Sequence, residues 1–419
     1  MKIFISDLHL TSKGTLSKGD ITALWDDIKD RVDYKNCPIE LVILGDFFDI
    51  LKDPMWRLPD LWGILPESIN KNFKNQEGQD AVKKIVEKTI NGNSGFFDEL
   101  RNKFGPQSDR ESKITYVVGN HDRLINFVPE ARIMIRARLG QEQCDGQFET
   151  EYIRPELKIY ATHGHQHDAY NFKRDSNQIP VGDLIVWILI NGFQVFSKKP
   201  ISITNLDGSM EFMPDYLTKF FDKLDNLFPH DVVPEFIAYS KSRFDLSADD
   251  FKKIQEFWKD QYGKLQKELL KKSWKELKLI LPFRFAVKIK PANHTVKKIT
   301  DTFLKMLSPV YKRWVLKLQD QEQWTLKFLK EKKNFQYFIM GHTHEACVKL
   351  LEKCDYLPRY YLNTGTIGRR IIKSFSSKSE AAFIPVGMFN YLLFYEPSDQ
   401  KTPKIFELCN LFSGLDRFI

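Results

Sequence analysis

The nine histidines of this 419-residue chain are unevenly distributed, because seven of them lie within or directly after short apolar runs that are typical of strands. These seven are His9, His121, His163, His165, His167, His342 and His344, whereas His230 and His294 lie elsewhere. The same kind of run also precedes Asp7, Asp46 and Asn120. Carboxylate and imidazole groups together suit Mn²⁺, Fe or Zn²⁺, and the set is large enough for two ions. Two such ions can hold the attacking and the leaving oxygen of a phosphoryl transfer.

The stretch 40–49, Glu-Leu-Val-Ile-Leu-Gly-Asp-Phe-Phe-Asp, indicates how these residues are positioned. Its apolar residues 41–44 predict a strand buried on both faces, as in parallel sheets. Gly45 ends the run and permits a turn, so that Asp46 projects from the carboxyl end of the strand. Ligands of open α/β sheets bind outside the carboxyl ends of the strands, and we therefore expect Asp46 in the functional crevice.

Four further strands are predicted to end in polar motifs. They cover residues 2–6, 113–118, 157–162 and 335–340, and the motifs are Asp7-Leu8-His9, Gly119-Asn120-His121-Asp122, His163-Gly164-His165 and Gly341-His342-Thr343-His344. Helical spacing predicts helices over 21–32, over 80–104 with a break at 91–95, and over 129–139. Closing strands are predicted at 360–362, before Asn363-Thr364-Gly365, and at 390–395 and 405–408. Residues 50–77, rich in Pro, Asn and Trp, are expected to form an ordered loop at the site.

Residues 169–334 lack such motifs and show mostly helical spacing, notably over 249–279 and 300–329. We therefore expect a helical insertion or cap between a first core part, 1–168, and a second core part, 335–419. Residues 241–335, the basic segment, contain 24 Lys and Arg against 11 Asp and Glu, a net charge of +13 in a chain of net charge +8. This excess favours an acidic or phosphate-bearing partner, although ordinary solvated helix faces have the same composition.

The cysteine content and the apolar stretches of the chain indicate its cellular compartment. The five cysteines form neither a CxxC pair nor a regular framework, which favours a reducing compartment. The amino terminus begins as a strand and shows no secretory signal. The apolar stretch 184–196 is shorter than the ~20 residues of a membrane span. The sequence therefore predicts a cytoplasmic, soluble protein without a transmembrane segment.

Taken in order, the five strand-end motifs resemble those of the calcineurin-like metallophosphoesterase superfamily. The resemblance covers about residues 1–168 and 335–400 and does not include the insertion. It implies an α/β fold, a four-layer sandwich of two central mixed sheets flanked by helices. The predicted helical insertion would be added to this core as a cap.

The resemblance also implies a dinuclear metal centre, most simply with two Mn²⁺ ions, with Fe or Zn²⁺ as alternatives. The first ion would be held by Asp7, His9, Asp46 and His344, and the second by Asp46, Asn120, His163 and His342. Asp46 would bridge the ions, since a carboxylate offers two oxygens and reduces the repulsion between the cations.

Catalysis in such enzymes uses a hydroxide between the two ions, which attacks phosphorus. The resemblance gives His121 a different role from the ligands: it would face the substrate and assist the leaving group. Asp49, Asp122 and His165 are candidates for orienting the ligands or contacting the substrate, and His167 and Asp168 carry a weaker signal. Asn363-Thr364-Gly365 resembles an element that supports the metal loop.

The motifs are most similar to those of the UDP-2,3-diacylglucosamine diphosphatase-like branch, which cleaves a pyrophosphate bond. The chain departs from that branch at His121, where arginine is common, and at His165, where aspartate is common. Histidine at 121 is typical of phosphodiesterases and nucleases of the superfamily. We therefore expect a phosphodiester or pyrophosphate substrate. The expected partner of the basic segment is nucleic acid or an anionic lipid precursor. The alternative to an enzyme is a non-catalytic scaffold protein.

Overall fold

The computed structural model describes residues 1–14, 16–31, 38–57, 76–106, 112–168, 334–352, 358–374, 382–396 and 405–413, with residues 171–172, 180, 183, 202–204, 210–212, 227–228, 328 and 332. The elements are β1 (Lys2–Ile5), α1 (Lys18–Arg31), β2 (Ile39–Leu44), α2 (Gln76–Gly92), α3 (Ser94–Phe104), β3 (Ser112–Val117), α4 (Pro129–Leu139), β4 (Glu151–Arg154), β5 (Ile159–Thr162), β6 (Ser202–Thr204), β7 (Met210–Phe212), β8 (Leu227–Phe228), β9 (Tyr337–Met340), β10 (Cys347–Glu352), β11 (Arg359–Asn363), β12 (Ile367–Ser374), β13 (Ala382–Phe394) and β14 (Phe406–Ser413). This is a mixed α/β fold with two mixed sheets, as the sequence predicts.

The first sheet has seven strands in the order β3-β2-β1-β13-β12-β8, with β14 paired to β13. Strands β1, β2 and β3 are parallel, whereas β13 pairs antiparallel with β1. The second sheet has the order β10-β11-β9-β5-β4. Its three central strands β5, β9 and β11 are parallel, and the antiparallel strands β10 and β4 lie at its edges. Each sheet therefore brings the carboxyl ends of three parallel strands to one edge.

Strand β2 is buried on both faces, which confirms the prediction from its apolar run. Leu41 and Ile43 belong to the hydrophobic core that includes residues of α1, α2, α3 and α4. Val42 and Leu44 point the other way and pack with residues of the second sheet, such as Ile339. All four of these β2 side chains have no exposed area. The first sheet is thus packed between the helices and the second sheet.

The outer face of the second sheet is also apolar. Tyr160 and Phe338 lie there, and the ring of Tyr160 is 5.1 Å from that of Phe328 and 5.7 Å from that of Phe335, measured between centroids. Phe328 is one of the few described residues of the predicted insertion. The chain that approaches β9 therefore covers part of this face.

Most predicted elements of the core are confirmed. Helix α4 has the predicted bounds, and α2 and α3 are separated at Asn93, within the predicted break. Strands β4, β10 and β12 were not predicted from the sequence. Of the loop predicted over 50–77, the structure describes residues 50–57, which include a 3₁₀ turn at Pro54–Arg57, and the start of α2.

The helical insertion lies almost entirely outside the described residues, as do Leu184–Phe196 and nearly all of the basic segment. Its described parts include three short strands that the helical spacing does not predict: β6 and β7, which pair with each other, and β8, which pairs with β12 of the first sheet. None of the helices in the described part of the chain is long and apolar enough to cross a membrane. Cys144 is an exposed free thiol.

Glu40 joins the two sheets at the amino end of β2. Its carboxylate accepts hydrogen bonds from Thr115 at 2.7 Å and from Tyr152 of the second sheet at 2.9 Å, and it lies 3.1 Å from the ammonium group of Lys2. Burial alone would raise the pKa of Glu40, but the Thr115 hydrogen bond and the charge of Lys2 outweigh it and lower the pKa. The ionised form therefore stabilises the folded state.

We expect Glu40→Gln to lower the free energy of unfolding at pH 7 by about 1.5–3 kcal/mol, the usual range for a hydrogen bond to a charged group. Because the folded-state pKa of Glu40 lies below its unfolded value, its contribution is complete above the unfolded pKa and is lost as the pH falls through the folded pKa. The difference between wild type and Glu40→Gln should therefore shrink from pH 7 to pH 3. Urea unfolding across this range measures it, and a constant difference would contradict the assignment.

Candidate functional site

The polar motifs of both sheets meet at the carboxyl ends of the parallel strands. After β1 and β2, the backbone N–H of Asp7 donates to the Gly45 carbonyl at 3.2 Å. After β5 and β9, the N–H of Gly341 donates to the His163 carbonyl at 3.0 Å. The two sheets are joined where the N–H of His342 donates to the Asp7 carboxylate at 2.9 Å. Four loops from distant parts of the chain thus meet at one edge of the two sheets.

The backbone at this site is strained. Six non-glycine residues of the described chain have positive φ, and five of them are predicted ligands: Asp7 (56°), His9 (50°), Asp46 (49°), His342 (69°) and His344 (61°), the sixth being Lys158. A left-handed conformation costs about 1–3 kcal/mol for such residues and persists only where the surroundings enforce it. The conformation turns each side chain sharply away from its strand, toward the crevice between the loops.

Asp7, His9 and His344 form the first cluster, in which the ligand atoms lie within 4.8 Å of one another. The Nε2 atoms of His9 and His344 are 3.1 Å apart. The Nε2 atom of His344 lies 3.2 Å from Asp7 Oδ1, and that of His9 lies 3.9 Å from the same oxygen. Two imidazole nitrogens and a carboxylate oxygen therefore converge.

Asp46, His163 and His342 form the second cluster, within the same 4.8 Å limit. The Nε2 atom of His163 lies 3.2 Å from Asp46 Oδ2 and 3.2 Å from Asn120 Oδ1. The other ring nitrogen of His163 lies 3.0 Å from the Leu44 carbonyl, which leaves Nε2 for the cluster.

Asp46 links the two clusters. Its Oδ2 atom, beside His163, also lies 3.9 Å from the Nε2 atom of His9. Its Oδ1 atom accepts the backbone N–H of His121 at 2.9 Å. Asp46, His9 and His121 form a third group of converging atoms. The carboxylate is thus shared between neighbours on both sides.

The residues present fit a divalent metal ion. The buried Asp7 Oδ1 accepts no hydrogen bond from the described residues, although it lies at the centre of the first cluster. A Cβ at Gly341 would lie 2.5 Å from Asp7 Oδ2, and a Cβ at Gly119 would overlap the Asp46 carboxylate, so glycine is required beside both carboxylates. Mixed imidazole, carboxylate and amide donors suit Mn²⁺, Fe and Zn²⁺.

Asp49 orients two histidines. One of its oxygens lies 2.7 Å from Nδ1 of His121, and the other lies 3.3 Å from Nδ1 of His9. Burial of His121 opposes its charged form, but Asp49 and Asp46 outweigh that effect and raise the pKa of His121 to about 9. Asp49 thus has the orienting position that the sequence proposes for it.

Asp122 fixes the loop that carries Asn120 and His121. Its carboxylate accepts hydrogen bonds from the backbone N–H of Gly119 at 2.6 Å and of Phe47 at 2.8 Å, and from the Tyr116 hydroxyl at 2.5 Å. Burial and the charge of Asp46 raise the pKa of Asp122 to about 6. Asp122 therefore connects the loops after β2 and β3.

The electrostatics of the site depend on carboxylate–imidazole pairs. Burial would raise the pKa of Asp46, but His163 and His121 outweigh it and hold the pKa well below the usual range. In return, Asp46 and Asp7 raise the pKa of the buried His163 to about 10. Burial and the neighbouring His163 hold the pKa of His165 well below its usual value, so His165 is a neutral ring beside the second cluster.

A buried group of hydroxyls supports the Asp7 loop, and it was not predicted from the sequence. Ser6 donates to the Asp7 carboxylate at 2.5 Å and lies 2.6 Å from the Thr364 hydroxyl, while Thr366 donates to the Asp7 carbonyl at 2.8 Å. Asn363 donates to the Gly341 carbonyl at 2.8 Å. The Asn363-Thr364-Gly365 element thus contacts the metal-loop candidates of both sheets, in the supporting position that the sequence predicts.

Two further contacts reach the second cluster. Asp168, which carried only a weak sequence signal, places its carboxylate oxygen 3.1 Å from the Nε2 atom of His342. Arg123 pairs with the buried Asp183 and donates to the Asn120 carbonyl at 3.1 Å. Arg123 directly follows the Gly-Asn-His-Asp motif, and this adjacency was the available signal for it. No motif marks Asp183.

A scan of the chain against models of known protein families found no match, and a search of curated proteins found no matching relative. The fold and the site define the chain as a mixed α/β protein with histidine–carboxylate clusters at the carboxyl ends of its parallel strands. Its function must therefore be inferred from these residues and their geometry.

Gly119→Ala tests how tightly the Asp46 loop is packed. A Cβ at this position would lie 2.5 Å from the backbone nitrogen of Asp46 and would overlap its carboxylate. We expect a loss of about 1–3 kcal/mol in the free energy of unfolding, as for other overpacked sites. Gly146→Ala is the matched control, since its Cβ would make an ordinary contact of 3.7 Å with Cys144. Equal urea-unfolding curves for the two variants would contradict the close packing.

Proposed function

We propose that this chain is a dinuclear metal-dependent phosphoester hydrolase of the calcineurin-like metallophosphoesterase class. The observation that carries the proposal is the shared Asp46 carboxylate, which lies between two clusters of histidine and carboxylate ligand atoms. The five motifs occur in the order typical of that class, and the two mixed sheets are compatible with its four-layer sandwich. The insertion would form its helical cap.

In this proposal, Asp7, His9, Asp46 and His344 hold the first ion, and Asp46, Asn120, His163 and His342 hold the second. Such ions activate a water molecule and neutralise charge on the phosphoryl group. The protein's part is to fix the donor atoms. The Leu44 carbonyl accepts from Nδ1 of His163, which leaves Nε2 of that ring for its cluster, and an Asp49 oxygen lies 3.3 Å from Nδ1 of His9.

His121 is proposed as the group that assists departure of the leaving oxygen. Its Nδ1 atom is held by Asp49, which leaves Nε2 free to act on substrate. Its ring lies edge-on to that of His9, with centroids 4.8 Å apart, and 14% of its side chain is exposed. A partly exposed imidazole beside the first cluster can reach a bound phosphoester and donate a proton to it.

The proposed substrate is a phosphodiester or a pyrophosphate. The net charge of +13 over residues 241–335 supports a second candidate, a nuclease or nucleotide phosphodiesterase that binds nucleic acid through this segment. Hydrolysis rates for a bis-aryl phosphodiester, UDP-sugars, cyclic nucleotides and single-stranded DNA would separate these substrates. A scaffold without activity is disfavoured, because a competent donor residue occupies every proposed ligand position.

Asp46→Asn tests the bridging role. An amide offers one oxygen and no charge, so it cannot hold two cations together. We expect the variant to fold, to lose hydrolytic activity and to retain fewer than two Mn²⁺ ions per chain by elemental analysis. Asp98→Asn is the control, since Asp98 is 59% exposed and forms a surface ion pair with Arg138. Full occupancy of both sites in Asp46→Asn would rule out the bridge.

His121→Ala tests the leaving-group role. We expect kcat for an alkyl phosphodiester to fall by about 10²–10⁴ while the metal content stays unchanged. The same variant should lose much less activity on an aryl ester with an acidic leaving group, because that group departs without a proton. The two substrates thus serve as an internal control. Loss of a metal ion from His121→Ala would instead make His121 a ligand.

A further inference from the structure

Asp168 occupies a defined position behind the second cluster. Its side chain is 4% exposed, and its Oδ2 atom lies 3.1 Å from Nε2 of His342. The same oxygen accepts a hydrogen bond from the Asn171 side chain at 2.7 Å. The backbone N–H groups of Asn171 and Phe172 donate to the Asp168 carbonyl at 3.0 and 2.9 Å. Asp168 is therefore fixed by its own turn before it contacts His342.

The Asp168 carboxylate lies outside the second cluster itself. Among the described residues, the ligand atoms that lie within 4.8 Å of one another come from Asp46, His163 and His342, and this group does not include Asp168. A carboxylate oxygen only accepts hydrogen bonds, so its contact with Nε2 of His342 requires the proton on that nitrogen. The neutral His342 ring then carries its lone pair on Nδ1.

Two other proposed histidine ligands have an oxygen near their outer nitrogen. Nδ1 of His163 lies 3.0 Å from the Leu44 carbonyl, and Nδ1 of His9 lies 3.3 Å from an Asp49 oxygen. His342 is contacted at Nε2 instead, by Asp168. Asp168 directly precedes the predicted insertion, whereas Leu44 and Asp49 do not. Outer acceptors of this kind fix the tautomer and orientation of a metal-binding histidine and increase its basicity.

We propose that Asp168 is a positioning residue that holds His342 in its Nε2–H tautomer and thereby sets the affinity of the second metal site. The proposal deepens the proposed function, on which its metal-binding part rests. Asp168 contacts a proposed ligand of the second ion, so its removal should weaken binding of that ion more than binding of the first.

The test compares Mn²⁺ binding by isothermal titration calorimetry in the full-length protein. Wild type should bind two ions, and Asp168→Ala should bind the second about 10–100-fold more weakly with the first unchanged. Asp168→Asn keeps an oxygen that can accept the Nε2–H, so its loss should be smaller. Asp98→Ala, on an exposed aspartate, is the control and should bind as wild type does. Unchanged affinity for both ions in Asp168→Ala would overturn the proposal.

A second readout needs neither metal nor activity. The ¹⁵N spectrum of metal-free, histidine-labelled protein should show His342 as the Nε2–H tautomer in wild type and as a mixture in Asp168→Ala. The signal is assigned by its loss in His342→Gln. If Asp168→Ala does not fold, Asp168→Leu replaces it, since leucine has a similar size and no acceptor, and wild-type affinity for both ions in that variant would overturn the role. If wild type binds no ion, the proposed function fails, while the tautomer still decides whether Asp168 orients His342. An Nδ1–H tautomer of His342 in wild type would exclude the positioning role of Asp168.

Discussion

The site depends on the burial of the Asp46 carboxylate between loops of both sheets. A buried carboxylate is very costly unless it is paired and hydrogen-bonded. Asp46 is 1% exposed, and its partners are the His121 N–H on one oxygen and the imidazoles of His163 and His9 on the other. These partners come from the loops after β1, β3 and β5. Burial of the Asp46 carboxylate therefore requires the ends of these three strands to meet beside the end of β2. Glycine at 119 leaves the space that this meeting needs.

The strained strand ends are stabilised by contacts that do no chemistry themselves. Positive φ at Asp7 and Asp46 costs free energy, and the surrounding structure must supply it. Asp7 is held by the Ser6 and Thr366 hydroxyls, and Asp46 is flanked by the Asp122 network. Such groups hold the donor atoms in place before any ligand arrives. Preorganisation of this kind is what a metal site or a catalytic site requires.

Much of the core could be predicted because its signals are local. The apolar run of β2 and the glycine that follows it specify a buried strand and the point where it ends without reference to the rest of the chain. Of the strands that were missed, β4 and β10 lie at the edges of the second sheet, where one side pairs with none of the described strands and a continuous apolar run is not needed. The contact between Ser6 and Thr364 spans 358 residues, so only the assembled fold brings them together. Asp168 could not be assigned for the same reason.

The position of β1 has a consequence for the order in which the chain assembles. β1 is synthesised before both of its partners and pairs with β2 on one side, but its other neighbour, β13, joins through Phe394. At ~5–20 residues per second, roughly 20–80 s of translation separate the two strands. A nascent chain therefore carries an open edge on its first strand, which is a template for pairing with other chains. Completion of the site is a late event, because His9 meets His344 only after 335 further residues have been made.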